Sequence, residues 1–201
     1  MNKKPRGGSA GQIRIIGGQW RGRKLPVPDS AGLRPTTDRV RETLFNWLAP
    51  DIQGARCLDC FAGSGALGLE ALSRHAASAT LLELERPVAQ QLEKNLATLG
   101  AANGRVINTN TLQFLAKPGE PHQMAFIDPP FRKGLLEETL TLLESQGWLA
   151  EEALIYVESE VESGVPPVPV NWQLYREKVA GQVACRLYVR RSPEKRESHA
   201  D

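Results

Sequence analysis

From Ala55 onward the chain alternates short apolar runs with stretches of helical period, an order that few folds accept. Arg56 to Cys60, Ala79 to Leu84, Arg105 to Asn108, Met124 to Ile127 and Ala153 to Val157 have the length and composition of strands. Between them Ala66 to His75, Val88 to Leu99, Thr111 to Leu115 and Leu135 to Gln146 have helical spacing. Alternating units of this length build a parallel sheet with helices on both faces. Gln173 to Val179 and Val183 to Arg190 face each other across Ala180-Gly181-Gln182, so an antiparallel hairpin is expected at one edge of that sheet. No internal repeat or long linker divides this body.

The segment before it is different in kind. Residues 1–50 hold ten basic side chains against Asp29, Asp38 and Glu42, an excess of seven positive charges. The whole chain carries only +2, so the remainder is net −5. A basic arm on an acidic body suggests a polyanionic partner, because clustered Lys and Arg attract phosphates and release their counterions. Arg21, Arg23, Lys24, Arg34, Arg39 and Arg41 are the candidate contacts. Gln12 to Ile16 and Arg23 to Val27 read as short strands around Gly17-Gly18, and Pro35-Thr36-Thr37-Asp38 as the start of a helix over Arg39 to Leu48. Val40, Leu44, Phe45 and Leu48 form the apolar stripe of that helix, which leaves Arg39 and Arg41 off it. The arm is therefore expected to fold against the body, with residues 1–50 as arm, 51–192 as the main domain and 193–201 as a tail.

Composition narrows the class. Apolar residues make up 41% and charged residues 24%, as in an ordinary soluble domain, and no run reaches the ~18 apolar residues of a membrane helix. The basic start has no apolar stretch after it, so a cytoplasmic protein without a secretory signal is expected. Cys57-Leu58-Asp59-Cys60 spells a C-x-x-C, but it has no second pair and no histidine at ligand spacing, so no metal is expected. Strand alternation puts Cys57 with Asp59 on one face and Leu58 with Cys60 on the other.

Asp59-x-Phe61-x-Gly63-x-Gly65-x-x-Gly68 runs from the end of a strand through a glycine turn into a helix. Glycine at 63 and 65 permits positive φ and close approach of a ligand, and Gly68 permits close helix–strand packing. The spacing also satisfies a dinucleotide fingerprint. Asp59 argues against that reading, since its charge would repel a pyrophosphate and suits a ligand with an ammonium group, such as S-adenosylmethionine. Glu83 ends the second strand, where a carboxylate can accept hydrogen bonds from ribose hydroxyls, with Glu85 as the fallback. Asn110 follows the third strand. It could read an adenine edge through its amide, or simply cap the helix that starts at Thr111.

Asp128-Pro129-Pro130-Phe131 follows a buried strand and so shares the rim of the glycine loop. An exocyclic amine on a nucleobase is a poor nucleophile because its lone pair is delocalised into the ring. A carboxylate from Asp128 and a backbone carbonyl such as that of Pro129 can accept both N–H bonds, orient the lone pair and stabilise the charge developing on nitrogen. The two prolines fix φ and hold that carbonyl in place, and Phe131 can stack on an unstacked base.

With these motifs the chain resembles the bacterial small-subunit ribosomal RNA guanine-N2 methyltransferases, the RsmD family. The resemblance runs from Ile13 to about Arg190. It includes Gly17-Gly18-x-x-Arg21-Gly22-Arg23 and Leu33-Arg34-Pro35-Thr36-Thr37-Asp38-Arg39-Val40-Arg41-Glu42. It implies a class I fold, Rossmann-like, with a seven-stranded, mostly parallel sheet. The implied activity is methyl transfer from S-adenosylmethionine to N2 of one guanine in 16S rRNA, on the small subunit or a late assembly intermediate. By position Glu83 would bind ribose and Asp128 the guanine amine, while Asn110 stands where many relatives have Asp. A monomer is expected. Three rivals remain open: a DNA amino-methyltransferase, which would need a recognition domain the chain lacks; an assembly factor without catalysis; and an NAD-dependent oxidoreductase, for which no hydride-transfer residue is evident.

Overall fold

The computed structural model describes residues 11–28, 37–130 and 134–191. Arg34 and Phe131, two of the residues singled out above, lie outside them. The body is a seven-stranded sheet made by β3 (Arg56–Asp59), β4 (Ser78–Glu83), β5 (Gly104–Asn108), β6 (His122–Ile127), β7 (Leu149–Glu160), β8 (Trp172–Ala180) and β9 (Val183–Arg190). Their spatial order is β5-β4-β3-β6-β7-β9-β8, parallel from β5 to β7 and antiparallel across β7-β9 and β9-β8. The chain winds outward from β3 to β5, then returns to β6 on the other side of β3. The carboxyl ends of β3 and β6 therefore flank the topological switch point, where ligands enter such sheets.

The helices are α1 (Asp38–Leu48), α2 (Ala66–Ser73), α3 (Arg86–Leu99), α4 (Thr111–Leu115) and α5 (Leu136–Ser145). Each face of the sheet has its own core. Cys57, Leu81, Phe126, Tyr156 and Leu187 pack with α1, α2 and α3, whereas Leu58, Cys60, Leu82, Ile127 and Val157 pack with α4 and α5. Strand alternation thus separates the two neighbouring cysteines, and all three cysteines are buried free thiols. Burial, with Asp59 adding to it, pushes the Cys57 thiol up to about 12, so it remains an inert core residue at neutral pH.

Ahead of the body, β1 (Gly11–Arg14) and β2 (Lys24–Val27) form an antiparallel hairpin with Ile13 opposite Leu25. Ile13, Ile15 and Leu25 are buried in the same core as α1 and α2, so the arm is folded against the body. The strands expected around the Gly17-Gly18 turn are present, with the turn extended over several residues. Gly17 is extended, and a 3-10 turn runs from Gly18 to Trp20. Gly18 has φ +78, and a Cβ there would lie 2.0 Å from the Ser73 carbonyl oxygen. This glycine lets the arm touch the end of α2, while the cross-strand bonds continue past Arg14, from the Ile15 N–H to the Arg23 carbonyl at 2.9 Å.

Thr37 caps α1 by accepting the Val40 N–H at 3.3 Å, as the Pro-Thr-Thr-Asp signal implied. β7 is the largest departure from the expected boundaries. It extends beyond Ala153–Val157 at both ends, because antiparallel pairing with β9 continues to Glu160 and Leu149 pairs with His122 ahead of an irregularity in β7, where Glu152 has φ 59. Among the described residues no helix is long and apolar enough to cross a membrane.

Candidate functional site

The glycine loop is held from three sides. Cys60 N–H donates to the Phe126 carbonyl on β6 at 3.0 Å, and Ala62 N–H to the Leu82 carbonyl on β4 at 2.9 Å. Gly63 N–H donates to the Glu83 carboxylate at 2.8 Å, and Gly68 N–H to Asp59 at 3.1 Å. Gly63 and Gly65 have φ of +54 and +81, the region in which a side chain is strained. A Cβ on Gly65 would also meet Leu92 at 2.5 Å, and one on Gly68 would meet Leu81 at 2.9 Å. Each glycine therefore answers a distinct steric demand.

Asp59 and Glu83 are the acids of this rim. Asp59 is 2% exposed. Burial and then the nearby Glu83 charge raise its pKa to about 7, against N–H bonds from Gly68 and Phe61 that lower it. Glu83 is half-buried and also accepts the Glu85 N–H at 3.1 Å, so it ties the glycine loop to the turn entering α3. Burial raises its pKa as well. Glu85 sits beyond the end of β4, exposed, at the N-cap of α3 without a side-chain cap bond. Phe61 is half-buried against the core of the α4 and α5 face. Asn110 caps α4 by accepting the Gln113 N–H at 3.1 Å, one of its two alternatives. That bond uses the amide oxygen and leaves the NH2 group available as a donor.

Asp128 is half-buried, Pro129 buried and Pro130 exposed, directly after β6 and across the switch point from Asp59. The sheet thus brings together Asp59, Phe61, Gly63, Gly65, Glu83, Asn110 and Asp128 along adjoining strand ends.

The basic set divides. Arg21, Arg23, Lys24 and Arg39 are exposed. Arg41 is 2% exposed, and its guanidinium pairs with Asp38 at 2.7 Å and with Glu70 at 3.5 Å. This corrects its assignment as a nucleic-acid contact. The helical stripe that excluded Arg41 considered only the sheet side of α1, whereas α2 packs against a second side and buries it.

Glu70 is the residue that sequence reasoning missed. It is fully buried and accepts the Ile16 and Gly17 N–H groups and the Arg41 and Arg74 guanidinium groups. The signal was present, a lone acid inside the apolar run Ala66-Leu67-Gly68-Leu69-Glu70-Ala71-Leu72.

A seven-stranded sheet of this order, with a glycine loop and an Asp-Pro-Pro turn facing each other at its switch point, defines a class I methyltransferase. The family model described as conserved hypothetical protein 95 matches residues 13–189. Over 99% of its length the chain is 73% identical to the whole of Ribosomal RNA small subunit methyltransferase D from Escherichia coli strain K12. The protein of that name from Haemophilus influenzae is 52% identical over 94% of this chain and 99% of its own. The solved Escherichia coli structure yhhF superposes with a TM-score of 0.86 at 73% identity, covering 90% of this chain and 99% of that one. The chain belongs to the ribosomal RNA small subunit methyltransferase D family.

Proposed function

We propose that this protein transfers a methyl group from S-adenosylmethionine to the exocyclic N2 amine of one guanine in 16S rRNA of the small subunit or a late assembly intermediate. The observation that carries the reading is the Asp128-Pro129-Pro130 turn set across the switch point from the Gly63–Gly65 loop.

The residues present suit that cofactor. The positive-φ glycine turn offers close backbone approach, and we assign Glu83 to the ribose and the Asn110 NH2 group to the adenine. Asp59 is a buried acid whose charge a ligand ammonium would stabilise. S-adenosylmethionine supplies a sulfonium-activated methyl group. Asp128 and the Pro129 carbonyl accept the two N–H bonds of the amine, aim its lone pair and offset the positive charge that grows on nitrogen. We assign Phe131 to stacking on the unstacked base. We assign the exposed Arg21, Arg23, Lys24 and Arg39, with Arg34, to the rRNA backbone. Residues 1–50 act as the RNA-contacting arm, 51–192 as the methyltransferase domain and 193–201 as a tail. The protein works as a cytoplasmic monomer.

The deciding experiment is methyl transfer from labelled cofactor to undermodified small subunits, free rRNA and DNA, followed by nucleoside analysis. Labelled N2-methylguanosine from an RNA substrate is expected; its absence from every RNA would sink the reading. Replacing Arg21, Arg23 and Lys24 together should weaken RNA binding and flatten its salt dependence. Unchanged binding across a salt titration would remove the arm from the footprint.

Asp59 gives a pH signature. Its folded pKa lies above the ordinary 3.8, so its contribution to stability is full below that value and is lost as pH rises through about 7. An ammonium ligand lowers that pKa and recovers the loss. The thermal shift produced by S-adenosylmethionine should therefore grow between pH 5.5 and 8, and Asp59→Asn should flatten the trend. The same slope in the variant would free Asp59 of any part in cofactor binding.

A further inference from the structure

The Asp-Pro-Pro turn explains how an amine is methylated and leaves open why that amine should be guanine's. A second carboxylate stands beside it. Ile127 pairs with Val157 across β6 and β7, so Asp128, just past the end of β6, and Glu158 on β7 each directly follow that pair. Glu158 pairs in turn with Cys185, and Cys185 with Lys178. Asp128, Glu158 and Lys178 all act electrostatically on the Cys185 thiol, which puts them around one point on the α1 side of the sheet. Lys178, the cation of this row, reaches Thr43 on α1 at 3.4 Å.

Glu158 is 3% exposed. The Tyr156 hydroxyl donates to its Oε1 at 2.7 Å and fixes the carboxylate. Burial, and after it the Glu158 charge, pushes the Tyr156 pKa well above the usual phenol value, so this hydroxyl stays a donor across the neutral range. An acid is thus held in place beside Asp128, and a substrate with two adjacent N–H donors can present one to each carboxylate.

Guanine has such an edge. Its N1–H and N2 amine are neighbouring donors, whereas adenine and cytosine present a bare ring nitrogen, an acceptor, next to their amines. With Asp128 on the amine, a carboxylate on the adjoining strand end meets the ring nitrogen. It binds N1–H of guanine and repels the lone pair of the other two bases. We propose that Glu158 is the specificity-determining residue that accepts N1–H of the flipped guanine, with Tyr156 as its positioning residue. This rests on the guanine-N2 reading above and names the group that makes the choice.

The test uses reconstituted small-subunit substrate carrying either guanine or 2-aminopurine at the methylated position. 2-Aminopurine keeps the N2 amine but has no N1 hydrogen. The wild-type protein is expected to prefer guanine in kcat/KM by on the order of 10- to 100-fold, the discrimination of one good base contact. Glu158→Gln keeps the shape and an acceptor for Tyr156, and its amide can donate to a bare N1. It should lose most of the guanine preference by losing rate on guanine and gaining it on 2-aminopurine. Tyr156→Phe, which releases the carboxylate without removing it, should raise KM for the guanine substrate and narrow the preference less. If both variants fold, bind S-adenosylmethionine normally and keep the wild-type ratio, Glu158 does not read the base. An equal loss on both substrates also overturns the proposal, because a purely structural residue would act that way. Failure of the wild-type protein to methylate guanine at all would instead remove the underlying reading.

Discussion

Replacing Asp128 by alanine is expected to lower kcat by roughly 10²- to 10³-fold, the usual cost of losing a preorganised group aimed at transition-state charge. The amine of the base carries little charge in the ground state and a growing positive charge as the new bond forms. An interaction that strengthens along that path acts on kcat more than on substrate binding. Cofactor binding should be retained, because the glycine loop is tethered to β4 and β6 backbone, to Glu83 and to Asp59. Asp128→Asn should fall between wild type and alanine, since an amide oxygen still accepts one N–H but carries no full charge. The measurement is single-turnover methylation of undermodified small subunits, with the cofactor-induced thermal shift as the control. Alanine activity within threefold of wild type would leave the chain a binding protein whose Asp-Pro-Pro turn is only a bend.

The sheet was legible because its strands are short, apolar and punctuated by glycine and proline. The hairpin strand Val183–Arg190 and helix Thr111–Leu115 fall where the pattern put them. Strand ends were less legible wherever a partner strand set them. β7 runs to Glu160 because β9 pairs that far, and β9 is distant in sequence. The site was legible for a related reason. Asp59 and Glu83 end strands and Asn110 and Asp128 follow them, and a parallel sheet gathers the carboxyl ends of its strands on one rim. Helix faces were harder to read. Arg41 lies off the stripe of α1 that meets the sheet, yet it is buried, because Glu70 of α2, which packs on the same sheet face, receives its guanidinium. One helix in isolation shows a single apolar stripe; its second contact becomes visible only when the element supplying the opposite charge is also known. Glu158 was equally hidden. Its neighbours across the sheet are more than twenty residues away on either side.

Glu70→Ala should be the most destabilising single substitution among the polar residues described, by about 3–5 kcal/mol, because it removes a fully buried carboxylate that two guanidinium groups and two backbone N–H groups share. Glu70 is fully buried, and its two oxygens receive the Ile16 N–H at 2.8 Å, the Gly17 N–H at 3.1 Å, Arg74 at 3.1 Å and Arg41 at 3.5 Å. Arg41 retains Asp38, but its Nε has no hydrogen-bond partner even in the intact protein. Without Glu70 its remaining ion-pair partner would be the half-exposed Asp38 carboxylate. Glu70→Gln keeps one acceptor and should cost less, separating the lost charge from the lost shape. At this chain length 3–5 kcal/mol corresponds to a melting-temperature drop of roughly 6–20 °C. The loss should also be local first. The Ile16 and Gly17 amides tie the hairpin to α2, and the hairpin holds the exposed Arg21, Arg23 and Lys24. Hydrogen exchange in Glu70→Ala should therefore accelerate at Ile13 to Ile16 and Leu25 before it does in β3 or β6. RNA affinity should fall at temperatures where the cofactor is still bound. A variant within about 1 kcal/mol of wild type, with its hairpin amides still protected, would mean that the apolar contacts of Ile13, Ile15 and Leu25 dock the arm by themselves, and that the buried charges serve another purpose.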